Sequence, residues 1–77
     1  MFYSASTDGI KVYQDKRLTM CDIGTYCVIV EYGIGPDFSM DDFEFFASGY
    51  DDAQQDRIRV SLGRLVETGH IEIKEDE

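Results

Sequence analysis

"DRIRVSLGRLVETGHI", residues 56–71, is the stretch that decides the scaffold. Ile58, Leu62 and Leu65 recur at steps of four and three residues, the stripe of an amphipathic helix with one face on a core. Thr68-Gly69 ends the stripe in the manner of a left-handed C-terminal cap. His70-Ile71-Glu72-Ile73-Lys74 then alternates, which predicts a strand with Ile71 and Ile73 on one face. Asp51 or Asp52 supplies the N-cap. The spacing therefore predicts a helix over 52–68 that runs straight into a short strand over 70–74.

Working outward, "FSMDDFEFFASG" (38–49) reads as a second helix over 40–48, entered from a Gly/Pro loop at 33–36. Ser39 and Asp42 form a capping box, and Phe38 and Phe43 stand at the N′ and N4 positions of a hydrophobic staple. Phe43, Phe46 and Ala47 face the core, Phe45 points elsewhere, and Gly49 closes the helix. In "LTMCDIGTYCVIVEYG" (18–33), Thr19 and Asp22 make an acidic capping box. Ile23, Tyr26, Cys27 and Val30 share one helical face. The β-branched run Val28-Ile29-Val30 argues for a strand instead, but the cap and the length favour a helix over 20–32. The N-terminal "MFYSASTDGIKVYQD" (1–15) reads as two alternating strands, 2–6 and 10–14, joined by a turn at Asp8-Gly9.

The expected fold class is α+β: a three-helix, winged-helix-like domain with a small antiparallel sheet from an N-terminal hairpin and a C-terminal strand. It fills residues 1–77 as one domain: hairpin 1–15, three-helix unit 19–69, strand 70–74 and a solvated tail 75–77. Three helices followed by a strand resemble the winged helix-turn-helix superfamily, with "IRVSLGRLVETGHI" similar to its third helix and first wing strand. More narrowly, "KVYQDKRLTMCDIGTYCVIV" (11–30), "FSMDDFEFFASG" and the opening stretch resemble the helix-turn-helix domains of phage and plasmid replication or regulatory proteins. The likeness covers about residues 10–73. Only eight residues follow Gly69, so the second wing strand is missing and the N-terminal hairpin is expected to complete the sheet.

Composition narrows the use of this scaffold. The chain has 77 residues, 43% of them apolar, with five Tyr and five Phe, enough for a packed core. The longest apolar run, Tyr26 to Val30, falls far short of the roughly 20 residues that span a bilayer. No basic stretch followed by a long apolar run marks the N-terminus. Cys21 and Cys27 have neither metal-binding nor disulfide-framework spacing, and read as reduced thiols of a cytoplasmic protein, one or both packed as small hydrophobes. The net charge is -9. Between Arg17 and Arg57 there is no base, while nine acids occur: Asp22, Glu31, Asp37, Asp41, Asp42, Glu44, Asp51, Asp52 and Asp56. The rest of the chain holds seven acids and seven bases, so the whole net charge arises in this central segment.

The resemblance implies that the second helix, the turn and the start of the third helix lie against phosphates. In this chain those positions carry Asp41, Asp42, Glu44, Asp51, Asp52 and Asp56, with Asp37 just upstream. Carboxylates there repel a polyanion, whereas a binder of duplex DNA sets Lys and Arg on it. If the two helix starts lie together, the acids make one surface suited to a basic protein. On the other side stand Arg57, Arg59 and Arg64, with Gln54 and Gln55, which could read bases. Arg57, Ser61 and Arg64 share a helical face. The plain alternative pairs these arginines with Asp56, Glu67 and neighbouring acids. His70 is the chain's one histidine and has no nucleophile at a triad or dyad spacing, so it reads as structural and no catalytic residue is assigned. No calcium-loop pattern and no Gly-rich phosphate loop is present, and neither a metal nor a cofactor is expected.

Two uses follow. One is a non-enzymatic acidic protein that binds a basic, nucleic-acid-binding partner by presenting carboxylates much as DNA presents phosphates. In size and charge the chain looks like small acidic phage inhibitors of the anti-CRISPR and anti-restriction kind. The other is a winged helix-turn-helix DNA-binding regulator of transcription or replication that works through its third helix.

Overall fold

Caps written into the sequence set where the helices begin. A computed structural model describes residues 1–75, and the expected tail lies, apart from Glu75, outside the described residues. In chain order the elements are β1 (Phe2–Ala5), α1 (Gly9–Gln14), α2 (Met20–Tyr26) with a wider helical turn over Cys27–Glu31, β2 (Asp37–Ser39), α3 (Met40–Ala47), α4 (Asp52–Glu67) and β3 (Ile71–Lys74). The strands form one antiparallel sheet, ordered β2-β1-β3. The fold class is α+β, as the patterns require.

Thr19 and Asp22 exchange their capping-box bonds at the start of α2, Ser39 and Asp42 do so at α3, and the Asp51 carboxylate takes the Gln54 amide at α4. Each cap satisfies amide donors that a helix start leaves without a partner. Gly69, at φ 85°, turns the chain from α4 into β3. Val28-Ile29-Val30 lies in the helix, but the turn widens: the Tyr32 amide reaches back five residues to the Cys27 carbonyl at 3.1 Å. The β-branched side chains crowd a regular helix, and the wider turn brings Ile29 fully into the core. Gly33 follows because a methyl there would sit 2.3 Å from the Val28 carbonyl oxygen.

Two expectations are corrected. Residues 10–14 are not a strand, and there is no N-terminal hairpin. Asp8 caps α1 instead, its carboxylate accepting the Lys11 amide at 3.3 Å. An Asp-Gly pair serves a turn and a helix start equally well, and the capping bond together with complete burial of Val12 settles it for the helix. The strand missing from the sheet is β2, read from sequence only as loop and cap. The extended residues that enter the Ser39 cap lie along β1, with Tyr3 opposite Phe38 and Phe2 opposite Ser39.

The core lies between the sheet and the helices: Tyr3, Phe38, Phe43, Leu62, Leu65 and Ile71 are buried with Val12, Tyr26 and Ile29. Aromatic rings run through it from β1 to the head of α4. Tyr3 stacks on Phe38 (5.1 Å between centroids), Phe38 neighbours Phe43 (6.4 Å), Phe43 neighbours Phe46 (6.5 Å), and Phe46 meets Tyr50 (5.5 Å). Ile58, Leu62 and Leu65 are all buried, as the stripe requires. Ile73 shares a face with Ile71 but overhangs the edge of the core and is 46% exposed.

Candidate functional site

The three arginines of α4 meet different fates. Ser61 is buried, and its hydroxyl donates to Asp22 Oδ1 at 2.8 Å. Arg64 reaches the other oxygen of the same carboxylate at 3.1 Å, and that oxygen also accepts the Thr19 amide at 2.9 Å. The face carrying Ser61 and Arg64 is thus the face that α4 packs on α2. Asp22 is itself buried. Burial pushes its carboxyl pKa up, but the Thr19 amide, the Ser61 hydroxyl and the Arg64 guanidinium outweigh burial and hold it below the ordinary carboxylate value. Arg59 pairs with Glu44 of α3 at 2.7 Å. The expected same-helix partners, Asp56 and Glu67, form no ion pair among the described residues; the Glu44 carboxylate across the helices is the main partner of Arg59, and the Asp56 charge adds to it. Only Arg57 of the three stands exposed without an ion pair among the described residues. Gln54 is exposed, and Gln55 donates its amide to the Tyr50 carbonyl at 2.8 Å.

The acids of the central segment divide by task. Asp42 and Asp51 spend a carboxylate oxygen on caps, Glu44 holds Arg59, and Asp22 is internal. Asp37, Asp41, Asp52 and Asp56 are exposed and make no side-chain hydrogen bond or ion pair among the described residues. Asp37, Asp41 and Asp42 stand where β2 enters α3, and Asp51, Asp52 and Asp56 at the head of α4. The eight residues of α3 separate the two groups along the chain. The first-turn acids also face the positive ends of their helices.

Sequence reasoning gave Asp22 only a capping role, and the second role has no local signal because Ser61 and Arg64 lie far along the chain. It also left His70 without a partner. His70 Nε2 lies 2.7 Å from Asp15 Oδ2, and Arg17 binds the same carboxylate at 2.7 and 3.0 Å. The Arg17 hydrogen bonds first, and the His70 contact after them, hold the Asp15 carboxyl well below the usual carboxylate range. This cluster ties the end of α1 to the start of β3. Cys21 is exposed and Cys27 half-buried against the core, both as free thiols. Tyr32 and Phe45 are almost fully exposed, while Tyr50 leans on Phe46.

No helix among the described residues is long and apolar enough to cross a membrane. Comparison of the chain with protein-family models, curated proteins and solved structures finds no match.

Proposed function

We propose that this chain is a non-enzymatic, cytoplasmic acidic interaction protein. It binds a basic surface on a nucleic-acid-binding protein, as an inhibitor of phage type does when it presents carboxylates in place of phosphates. One observation supports this reading: two of the three α4 arginines that DNA binding needs, Arg59 and Arg64, are engaged by the chain's own carboxylates. Ser61 and Arg64 are engaged by Asp22, and Arg59 by Glu44. Meanwhile Asp37, Asp41, Asp52 and Asp56 remain exposed at two helix starts, and none of them is in an ion pair among the described residues. Surface carboxylates held apart from cations raise the association rate with a basic partner more than they raise affinity. The helix–turn–helix–strand order of α3, α4 and β3 supports the winged-helix likeness as a description of the scaffold only, since a fold does not fix its use.

The alternative, a DNA-binding regulator, keeps one supporting observation, the exposed Arg57 beside Gln54. One arginine is far from the six to ten phosphate contacts that give specific binders their salt dependence.

The test replaces Asp41, Asp52 and Asp56 together with Asn. None of the three makes a side-chain bond in the fold, so thermal unfolding is expected to stay where it is or rise slightly. Pull-down from bacterial lysate with wild type and variant is followed by association rates with the captured protein at two salt concentrations. The expected result is slower association for the variant and a flatter salt dependence. Capture of the same proteins at an unchanged, salt-insensitive rate contradicts the proposal.

A further inference from the structure

One edge of the sheet is built to receive a strand. In the order β2-β1-β3, both β2 and β3 have an outer side. β2 is three residues long, follows Pro36, and gives its Ser39 amide to the Asp42 carboxylate, so it offers little to a neighbour. The parity of β3 follows from two bonds. Ser6 N–H donates to the His70 carbonyl at 2.8 Å, and Ala5 N–H to that of Pro36 at 2.7 Å. Bonding groups alternate along antiparallel strands. The His70 carbonyl and the backbone groups of Glu72 and Lys74 therefore turn to β1, and those of Ile71 and Ile73 point outward. Ile71 is 1% exposed and closed off, while Glu72, Ile73 and Lys74 are all exposed. The open part of the edge is centred on Ile73.

We propose that a second copy of this chain pairs with this edge, β3 against β3, antiparallel and centred on Ile73. Three independent features select that register. The outward N–H and C=O of Ile73 meet those of its counterpart as a hydrogen-bonded pair, which a two-fold axis through this residue requires. Glu72 lies opposite the second copy's Lys74, and Lys74 opposite the second copy's Glu72, so the ion pair within one strand (2.8 Å) becomes an alternating square of charges. Centring on Glu72 or on Lys74 would instead oppose like charges. A slip of one residue would turn the helix-covered face of one sheet against the solvent face of the other.

Apolar surface completes the match. Ile73 shares its sheet face with Tyr3 and borders an open groove with Met40 of α3 and Gly63 and Val66 of α4. The second copy's Ile73 falls beside it on the same face. Gly63 lies in the interior of α4 with nothing within 4 Å of the position a Cβ would take. Glycine in such a place weakens a helix, and the open space leaves room for the neighbouring chain. The contact is short, so the dimer is of the weak, concentration-dependent class. This inference is independent of the proposed function.

Sedimentation velocity of the full chain across a wide concentration range tests it, with Glu72→Lys, Lys74→Glu and the double exchange Glu72→Lys/Lys74→Glu. All three changes lie on exposed side chains, and circular dichroism checks the fold. Wild type is expected to self-associate. Each single change opposes like charges twice across the two-fold axis and should weaken association about tenfold. The double exchange should restore it. A wild type that stays monomeric at every concentration overturns the proposal. So does self-association that the single changes leave untouched, or a double exchange that fails to rescue them.

Discussion

Asp22→Ala is expected to cost about 3–5 kcal/mol, the range for removing one partner of a buried ion pair. The carboxylate serves the Thr19 amide, the Ser61 hydroxyl and the Arg64 guanidinium together, so its loss leaves the buried Ser61 hydroxyl without its acceptor and removes the link between α2 and α4. A domain of this size holds roughly 4–12 kcal/mol in total, so the loss is a large fraction of it and the unfolding midpoint should fall steeply. Urea denaturation measures the loss. Asp22→Asn keeps the shape and an acceptor oxygen and should lose less. Equal midpoints for wild type and Asp22→Ala would mean that α2 and α4 do not meet through this carboxylate. Asp22 and Asp15, each in its own cluster, together predict acid sensitivity. The pKa values of Asp22 and Asp15 are both lowered in the folded chain. A group with a depressed folded pKa binds its proton more readily when unfolded, so its stabilisation is complete above the unfolded value. Stability is therefore expected to decline as pH falls below about 4, the ordinary carboxylate range. Asp22→Ala should make that decline shallower.

Phe43→Ala is the second large effect. Its ring is 1% exposed and lies between Phe38 and Phe46, linking the sheet to the head of α4. Truncation leaves a cavity that these rings cannot close, at a cost of about 3–5 kcal/mol. Phe45→Ala, on the same helix but 82% exposed, provides the control and should change the unfolding midpoint little. Equal losses at the two positions would mean that α3 is rotated about its axis.

What the sequence made legible was local. Both capping boxes, the Phe38–Phe43 staple, the Ile58–Leu62–Leu65 stripe and the Gly69 stop each depend on residues within a turn or two, and each appears where the pattern puts it. Asp8-Gly9 misled because one dipeptide serves two motifs, and the choice depends on whether the Asp carboxylate finds the Lys11 amide. β2 was invisible because three residues carry no period. The acids could be located but not sorted: whether a carboxylate caps a helix, holds an arginine or faces solvent depends on what α2, α3 and α4 bring to it. The partners of Ser61 and Arg64 were hidden for the same reason. Ser61 and Arg64 lie beside the core stripe, and the helix that covers them is distant in sequence.

In the proposed function, exposed carboxylates and not the arginines of α4 form the interacting surface. Titration of a fluorescently labelled DNA duplex with the protein at near-physiological salt tests it most directly. The account predicts no binding tighter than the weak non-specific range, about 10⁻⁴ to 10⁻⁶ M. A nanomolar complex that disappears with Arg57→Ala, the variant that leaves the Asp22 and Glu44 pairs intact, would contradict it.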